Sequence, residues 1–229
     1  MPGSTSLRRR VTEASRYKKG MRRMELPSAA QRAAQAEFVK RLMRPIPGQE
    51  GNPRLLSKWI ISDTHFGHQT AQWDFNRPPD WEERTRRNWR ERVAPADALL
   101  HLGDVALDIH PGELAAAVAD LPGRVLVVRG NWDTDGSLEA LKDAGWTVSH
   151  WLLWTEYRGW LLQFTHEPLS ADELDDYDRG FRGALNVHGH VHNAAPVSDR
   201  HINVSLEPMG YRPVLLKELV DMRIDELET

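Results

Sequence analysis

The sequence predicts an α/β protein built from two packed sheets, and three observations carry that prediction. Through residues 58–144, short apolar runs rich in β-branched residues alternate with helical stretches, the pattern of parallel βαβ units. From residue 148 onward the apolar runs lie closer together, as in the hairpins of a second sheet. Five of the runs stop at a short polar signature: Asp63-x-His65, Gly103-Asp104, Gly130-Asn131-Trp132-Asp133, Thr165-His166 and Gly189-His190-Val191-His192. Open α/β sheets gather ligands beyond the carboxyl ends of their strands, where these signatures fall.

The elements follow in chain order. Residues 1–25 show no hydrophobic period and many Arg, Lys, Ser and Gly, which predicts disorder. Ser28 follows Pro27 and can cap a helix over 28–44, whose Lys40, Arg41 and Arg44 suit the negative end of the helix dipole. Pro45-Ile46-Pro47-Gly48 stops that helix, and residues 45–57 read as a linker. Strands are predicted at Lys58–Ser62, Ala98–Leu102, Arg124–Arg129, Val148–Trp154, Trp160–Thr165, Ala184–His188, Ile202–Ser205 and Val214–Leu216. Helices are predicted at Trp81–Val93, Pro111–Asp120 and Ser137–Ala144, and residues 171–183 as a polar loop near the site. The chain thus divides into an arm, 1–57, and a body, 58–229.

Charge divides the same way. Residues 1–57 carry 13 Lys and Arg against 4 Asp and Glu, a net of +9, while residues 58–229 carry 17 against 29, a net of −12. Such asymmetry suggests an arm that meets an acidic partner; a solvated extension is the plainer alternative. The absence of cysteine excludes disulfides, Cys-based zinc sites and a thiol nucleophile, and it fits a reducing cytoplasm. No apolar run approaches the ~20 residues of a membrane helix, so no membrane partner is expected.

The signatures supply three carboxylates, one amide and four imidazoles. A buried carboxylate or imidazole is costly unless paired or bound to metal, so a core has no reason to repeat them. The ordered set D-x-H, G-D, G-N-x-D, H and G-H-x-H closely resembles the calcineurin-like metallophosphoesterases, and Asp63 to His192 spans most of the body. The stretch Ile61–His68 looks like the small bacterial and phage branch. The resemblance implies a four-layer α/β/β/α sandwich. It implies that Asp63, His65, Asp104 and His192 bind a first metal, and that Asp104 bridges to a second completed by Asn131, His166 and His190. It implies hydrolysis of phosphate esters by a hydroxide held between the ions. Carboxylates and neutral imidazoles suit two divalent ions, Mn²⁺ first, with Fe, Zn²⁺ or Ni²⁺ as alternatives.

The family pattern breaks in two places. The family usually has G-N-H-[DE], and that histidine assists the departing oxygen; here Trp132 stands in its place, with Asp133 left behind it as a supporting residue. The G-D-x-x-D form is also absent, since Leu107 holds its last position. His68, the nearest unassigned imidazole in sequence, is the candidate substitute acid, or else a loop-stabilising group. Trp132 is a candidate platform for a base or sugar, favouring phosphodiesters of a nucleotide or nucleic-acid type, or else packs under the metals. Arg77 is a candidate contact for substrate phosphate, and His188 a supporting or packing group. Most other tryptophans are expected in the core or a dimer seam, and a homo-oligomer is left open. Two alternatives stand beside the phosphodiesterase: a nuclease whose basic arm holds nucleic acid, and a metal-bound scaffold without turnover.

Overall fold

Strands form where the apolar runs were read, and they sort into two sheets. The computed structural model describes residues 58–149, 153–178, 180–195 and 197–229. The predicted helix over 28–44 and the linker lie outside the described residues. The first sheet holds β1 (Trp59–Ile61), β2 (Ala98–His101), β3 (Arg124–Val128), β4 (Thr147–Ser149) and β9 (Val214–Leu215), in the order β4-β3-β2-β1-β9. Its pairs are parallel except β1 with β9. The second sheet holds β5 (Leu153–Tyr157), β6 (Trp160–Phe164), β7 (Ala184–His188) and β8 (His201–Asn203) in sequence order, antiparallel only between β5 and β6. Arg158 and Gly159 join β5 to β6 with φ of 53° and 80°, the geometry of a type I′ hairpin turn.

Strand periodicity divides the buried residues. Ile61, Leu99, Val125 and Val127 belong to a core shared with α2 (Trp81–Arg92), α3 (Pro111–Val118) and α4 (Asp135–Asp143), which follow α1, a single turn at Ala71–Asp74. The alternate residues Ile60, Leu100 and Val128 are just as buried. So are Leu162, Phe164, Leu185 and Val187, while their neighbours Leu161 and Ala184 pack with Leu174 of α5 (Ala171–Tyr177). Strands that bury residues on both faces need cover on both, the arrangement of two sheets packed between helices. Trp89, fully buried, anchors the first layer: its ring stacks 5.9 Å from Trp146 and 6.3 Å from His101, and its Nε1 donates to Pro122 O at 2.9 Å.

Three segments differ from the expectation. The run read as one strand, Val148–Trp154, is the end of β4 and the start of β5, which lie in different sheets. An apolar run suits either sheet, so periodicity has no signal for the crossing. Residues 171–183, read as a polar loop, begin with α5, whose Ser170 and Glu173 form a reciprocal capping box. After the two residues of β9, a helix α6 (Leu216–Leu227) buries Leu216, Val220 and Ile224. It lies along the β5–β6 hairpin, where Tyr157 OH donates to Asp221 and Trp160 Nε1 to Glu228. Trp81, Trp89, Trp146 and Trp160 fill the interior as expected, but Trp73 is exposed.

Candidate metal centre

Every signature sits at a strand's carboxyl end: Asp63 after β1, Asp104 after β2, Asn131 after β3, His166 after β6, His190 and His192 after β7. The loops lock onto one another. Asp63 N–H donates to Gly103 O and His65 N–H to Asp104 O, each at 3.0 Å. His190 N–H donates to the Asp63 carboxylate at 2.9 Å, and Trp132 N–H to Asp104 Oδ1 at 2.8 Å. Nine non-glycine residues among the described ones have left-handed φ, and five of them are Asp63, His65, Asp104, His190 and His192. Strained backbone of this kind persists only where the surroundings over-determine it, and it clusters at functional sites. Gly189 is required by close approach: a Cβ there would meet the Ser62 side chain and the Asp63 carboxylate.

Two adjoining groups result. Asp63, His65 and His192 offer ligand atoms within 4.8 Å of one another, and so do Asp104, His166 and His190. His65 Nε2 lies 3.7 Å from Asp104 Oδ2, so the groups meet at that carboxylate. The Asn131 amide joins the second group, 2.8 Å from His166 Nε2 and 3.0 Å from His190 Nδ1. His65 tests whether a metal fits: its ring is wholly buried, and neither nitrogen has a hydrogen-bond partner. A buried, unpartnered imidazole beside two carboxylates is costly alone and suited to a cation. Burial pushes the Asp63 carboxyl up, with Asp104 adding to it, against the pull of His166 and His192. Burial pulls His166 down, but its hydrogen bond to Asp104 and the nearby carboxylates carry it up to about 9.

The outward nitrogens of two imidazoles are held. His166 Nδ1 donates to Leu102 O at 2.7 Å, and His192 Nδ1 donates to Glu207 at 3.1 Å. Such partners fix which nitrogen faces a metal. Asp133 is buried and accepts from three backbone N–H groups, those of Asp104, Val105 and Gly130, at 2.8–3.1 Å. Burial and the Asp104 charge push its carboxyl up to about 6. His188 donates from Nδ1 to Gly189 O at 2.8 Å, and burial pulls it down to about 4. His68 lies with its ring 5.5 Å from that of His65; its Nε2 meets Thr70 Oγ1 at 3.0 Å, and its buried Nδ1 has no partner. Trp132 is 52% exposed, so it does not pack beneath the site, and its Nε1 lies 3.3 Å from the Asn131 amide.

Arg77 is a correction. It was expected at a substrate phosphate, but it is buried and all three of its nitrogens donate within the protein: Nε to Glu207 Oε1 at 2.6 Å, and the other two to the carbonyls of Thr64 and Asp63 at 3.1 and 2.7 Å. Sequence reading also missed Glu207 and Phe75. Glu207 belongs to no signature and reaches the site from the segment after β8; Phe75, whose ring stacks on His192 with centroids 3.7 Å apart, looks in sequence like any core aromatic.

The profile of the calcineurin-like phosphoesterase superfamily domain matches residues 57–208. Among solved structures the chain is similar to AQ665 from Aquifex aeolicus, described as a protein of unknown function. The two are 26% identical with a TM-score of 0.57, over 72% of this chain and 98% of that one. It is also similar to a novel archaeal phosphodiesterase (18% identity, TM-score 0.40, 64% of this chain and 81% of that one). A third is Yfce, a phosphoesterase from E. coli (17% identity, TM-score 0.36, 65% and 78%). No curated protein matches.

Proposed function

Because the chain belongs to the calcineurin-like phosphoesterase superfamily, we propose that it is a two-metal hydrolase of phosphodiesters of a nucleotide or nucleic-acid type. The observation that carries this reading is the pair of adjoining Asp/His groups with the unpartnered, buried His65 between two carboxylates. In this reading Asp63, His65, Asp104 and His192 hold one ion; Asp104, Asn131, His166 and His190 hold the other. When bound, two divalent ions, Mn²⁺ first, supply a nucleophile at neutral pH and positive charge for the phosphoryl oxygens.

The chain's own residues do the rest. Asp104 is shared between the groups, and Asp133 holds its loop through three backbone hydrogen bonds. Trp132, exposed beside Asn131, offers its ring to a base or sugar on one side of the phosphate. Base–aromatic stacking contributes about 1–3 kcal/mol per base, a gain open to a diester with a nucleoside on either side. An indole cannot pass a proton to a leaving oxygen. His68, with its Nδ1 free of any partner, takes that role in this reading. Full metal content and unchanged turnover in His68→Ala would remove it.

The test is hydrolysis of matched chromogenic monoester and diester substrates by metal-stripped protein reloaded with Mn²⁺, with Asp104→Ala as control. Diester turnover that disappears in the control is the expected result. Faster monoester turnover would overturn the diester preference, and no turnover of either ester with two metals bound would overturn the hydrolase reading.

A further inference from the structure

A buried ion pair beside the first group has no part in the reading above. Glu207 accepts from His192 Nδ1 with both oxygens, each at 3.1 Å, and from Arg77 Nε at 2.6 Å. The Arg77 guanidinium also grips the carbonyls of Asp63 and Thr64 and lies over the rings of Phe75 (5.0 Å) and Trp81 (4.5 Å). Phe75 in turn stacks on His192 with the ring planes 15° apart. One guanidinium therefore ties the backbone that carries Asp63 to the carboxylate that orients His192, 129 positions apart in sequence.

A buried ion pair is weak evidence for stability, because well-packed apolar residues in its place often serve as well. Here the pair does something apolar residues could not. With Arg77 Nε donating to one oxygen and both oxygens 3.1 Å from His192 Nδ1, the Glu207 side chain accepts from that nitrogen, so Nδ1 carries a proton. In the neutral imidazole the lone pair is then on Nε2, which lies 3.9 Å from Asp63 Oδ1. We propose that Arg77 and Glu207 are positioning residues that hold His192 in its Nδ1–H tautomer and its ring against Asp63, so that the first group is ready for an ion before one arrives. This deepens the two-metal reading and rests on it. Carboxylates placed behind metal-bound histidines typically raise metal affinity about 10- to 100-fold.

Two measurements test the inference on the full chain. The first is histidine ¹⁵N NMR of the metal-free wild type, with His192 expected as the Nδ1–H tautomer; an Nε2–H tautomer overturns the proposal even if no variant folds. The second is Mn²⁺ titration of wild type and Glu207→Gln, checked for folding by circular dichroism. One of two Mn²⁺ ions should weaken about 10- to 100-fold in the variant while the other changes little. Two ions held as tightly as in wild type, or both weakened equally, would overturn the positioning role alone. A wild type that takes up no Mn²⁺ would sink the metal reading and this inference together.

Discussion

His101 shows how far a single imidazole's environment dictates its chemistry. Its Nδ1 accepts from Gly103 N–H at 3.2 Å, so the proton is on Nε2, which donates to Thr64 Oγ1 at 2.9 Å; Thr64 in turn donates to Val105 O. The ring thereby links the loop that carries Asp63 to the loop that carries Asp104, and only in neutral form. Burial pulls its pKa from 6.5 to about 3. The sign follows: the unfolded chain takes up the proton first, so stability is full above about pH 6.5 and falls as pH drops toward 3. By pH 5 this one group costs about 2 kcal/mol. His101→Gln can copy both hydrogen bonds without titrating, and urea unfolding of that variant between pH 7 and 5 should show a correspondingly shallower loss. Asp133→Ala strips three buried N–H donors of their acceptor. At about 1–3 kcal/mol for each, urea unfolding of the metal-free variant should show a loss of about 3 kcal/mol or more.

At the scale of elements, the strand-end loops depend on close backbone approach and the helices on packing and caps. Gly189→Ala would push a methyl group against the Ser62 side chain and the Asp63 carboxylate. Its expected effect is loss of Mn²⁺ binding at the first group with the strands intact, seen as reduced metal content with an unchanged circular dichroism spectrum. Trp89→Ala empties the space between α2, Trp146 and His101 and leaves Pro122 O without its donor. Truncations of this size typically cost about 3–5 kcal/mol, readable in chemical denaturation. Helices with a clear apolar stripe, such as α2, were legible in the sequence. α5 was not, because one buried leucine, Leu174, carries little period; its capping box, Ser170 with Glu173, was the signal available.

For the whole molecule, charge is the sequence-level property with a direct consequence. We propose that the basic segment, 1–57, serves nucleic-acid or other polyanion contact and not the chemistry, since among the described residues the candidate ligands lie between Asp63 and His192. Removing residues 1–57 should leave turnover of a small chromogenic diester within about twofold, and it should weaken binding of single-stranded DNA with a shallower salt dependence. Equal DNA affinity with and without the segment would refute that role. Among the described residues, no helix is long and apolar enough to cross a membrane.

The α/β class, the two sheets and the set of polar residues at strand ends are legible from the residues alone, because each depends on local period and on short signatures within a few residues. The tertiary structure alone decided that Val148–Trp154 divides between sheets, that Arg77 turns inward, that Trp132 faces solvent and that Glu207 stands behind His192. Those outcomes depend on which distant segments meet. A guanidinium reads the same in sequence whether it awaits a phosphate or already has a carboxylate, and only the chain's closure, which delivers Glu207 to Arg77 from 130 positions away, chooses between them.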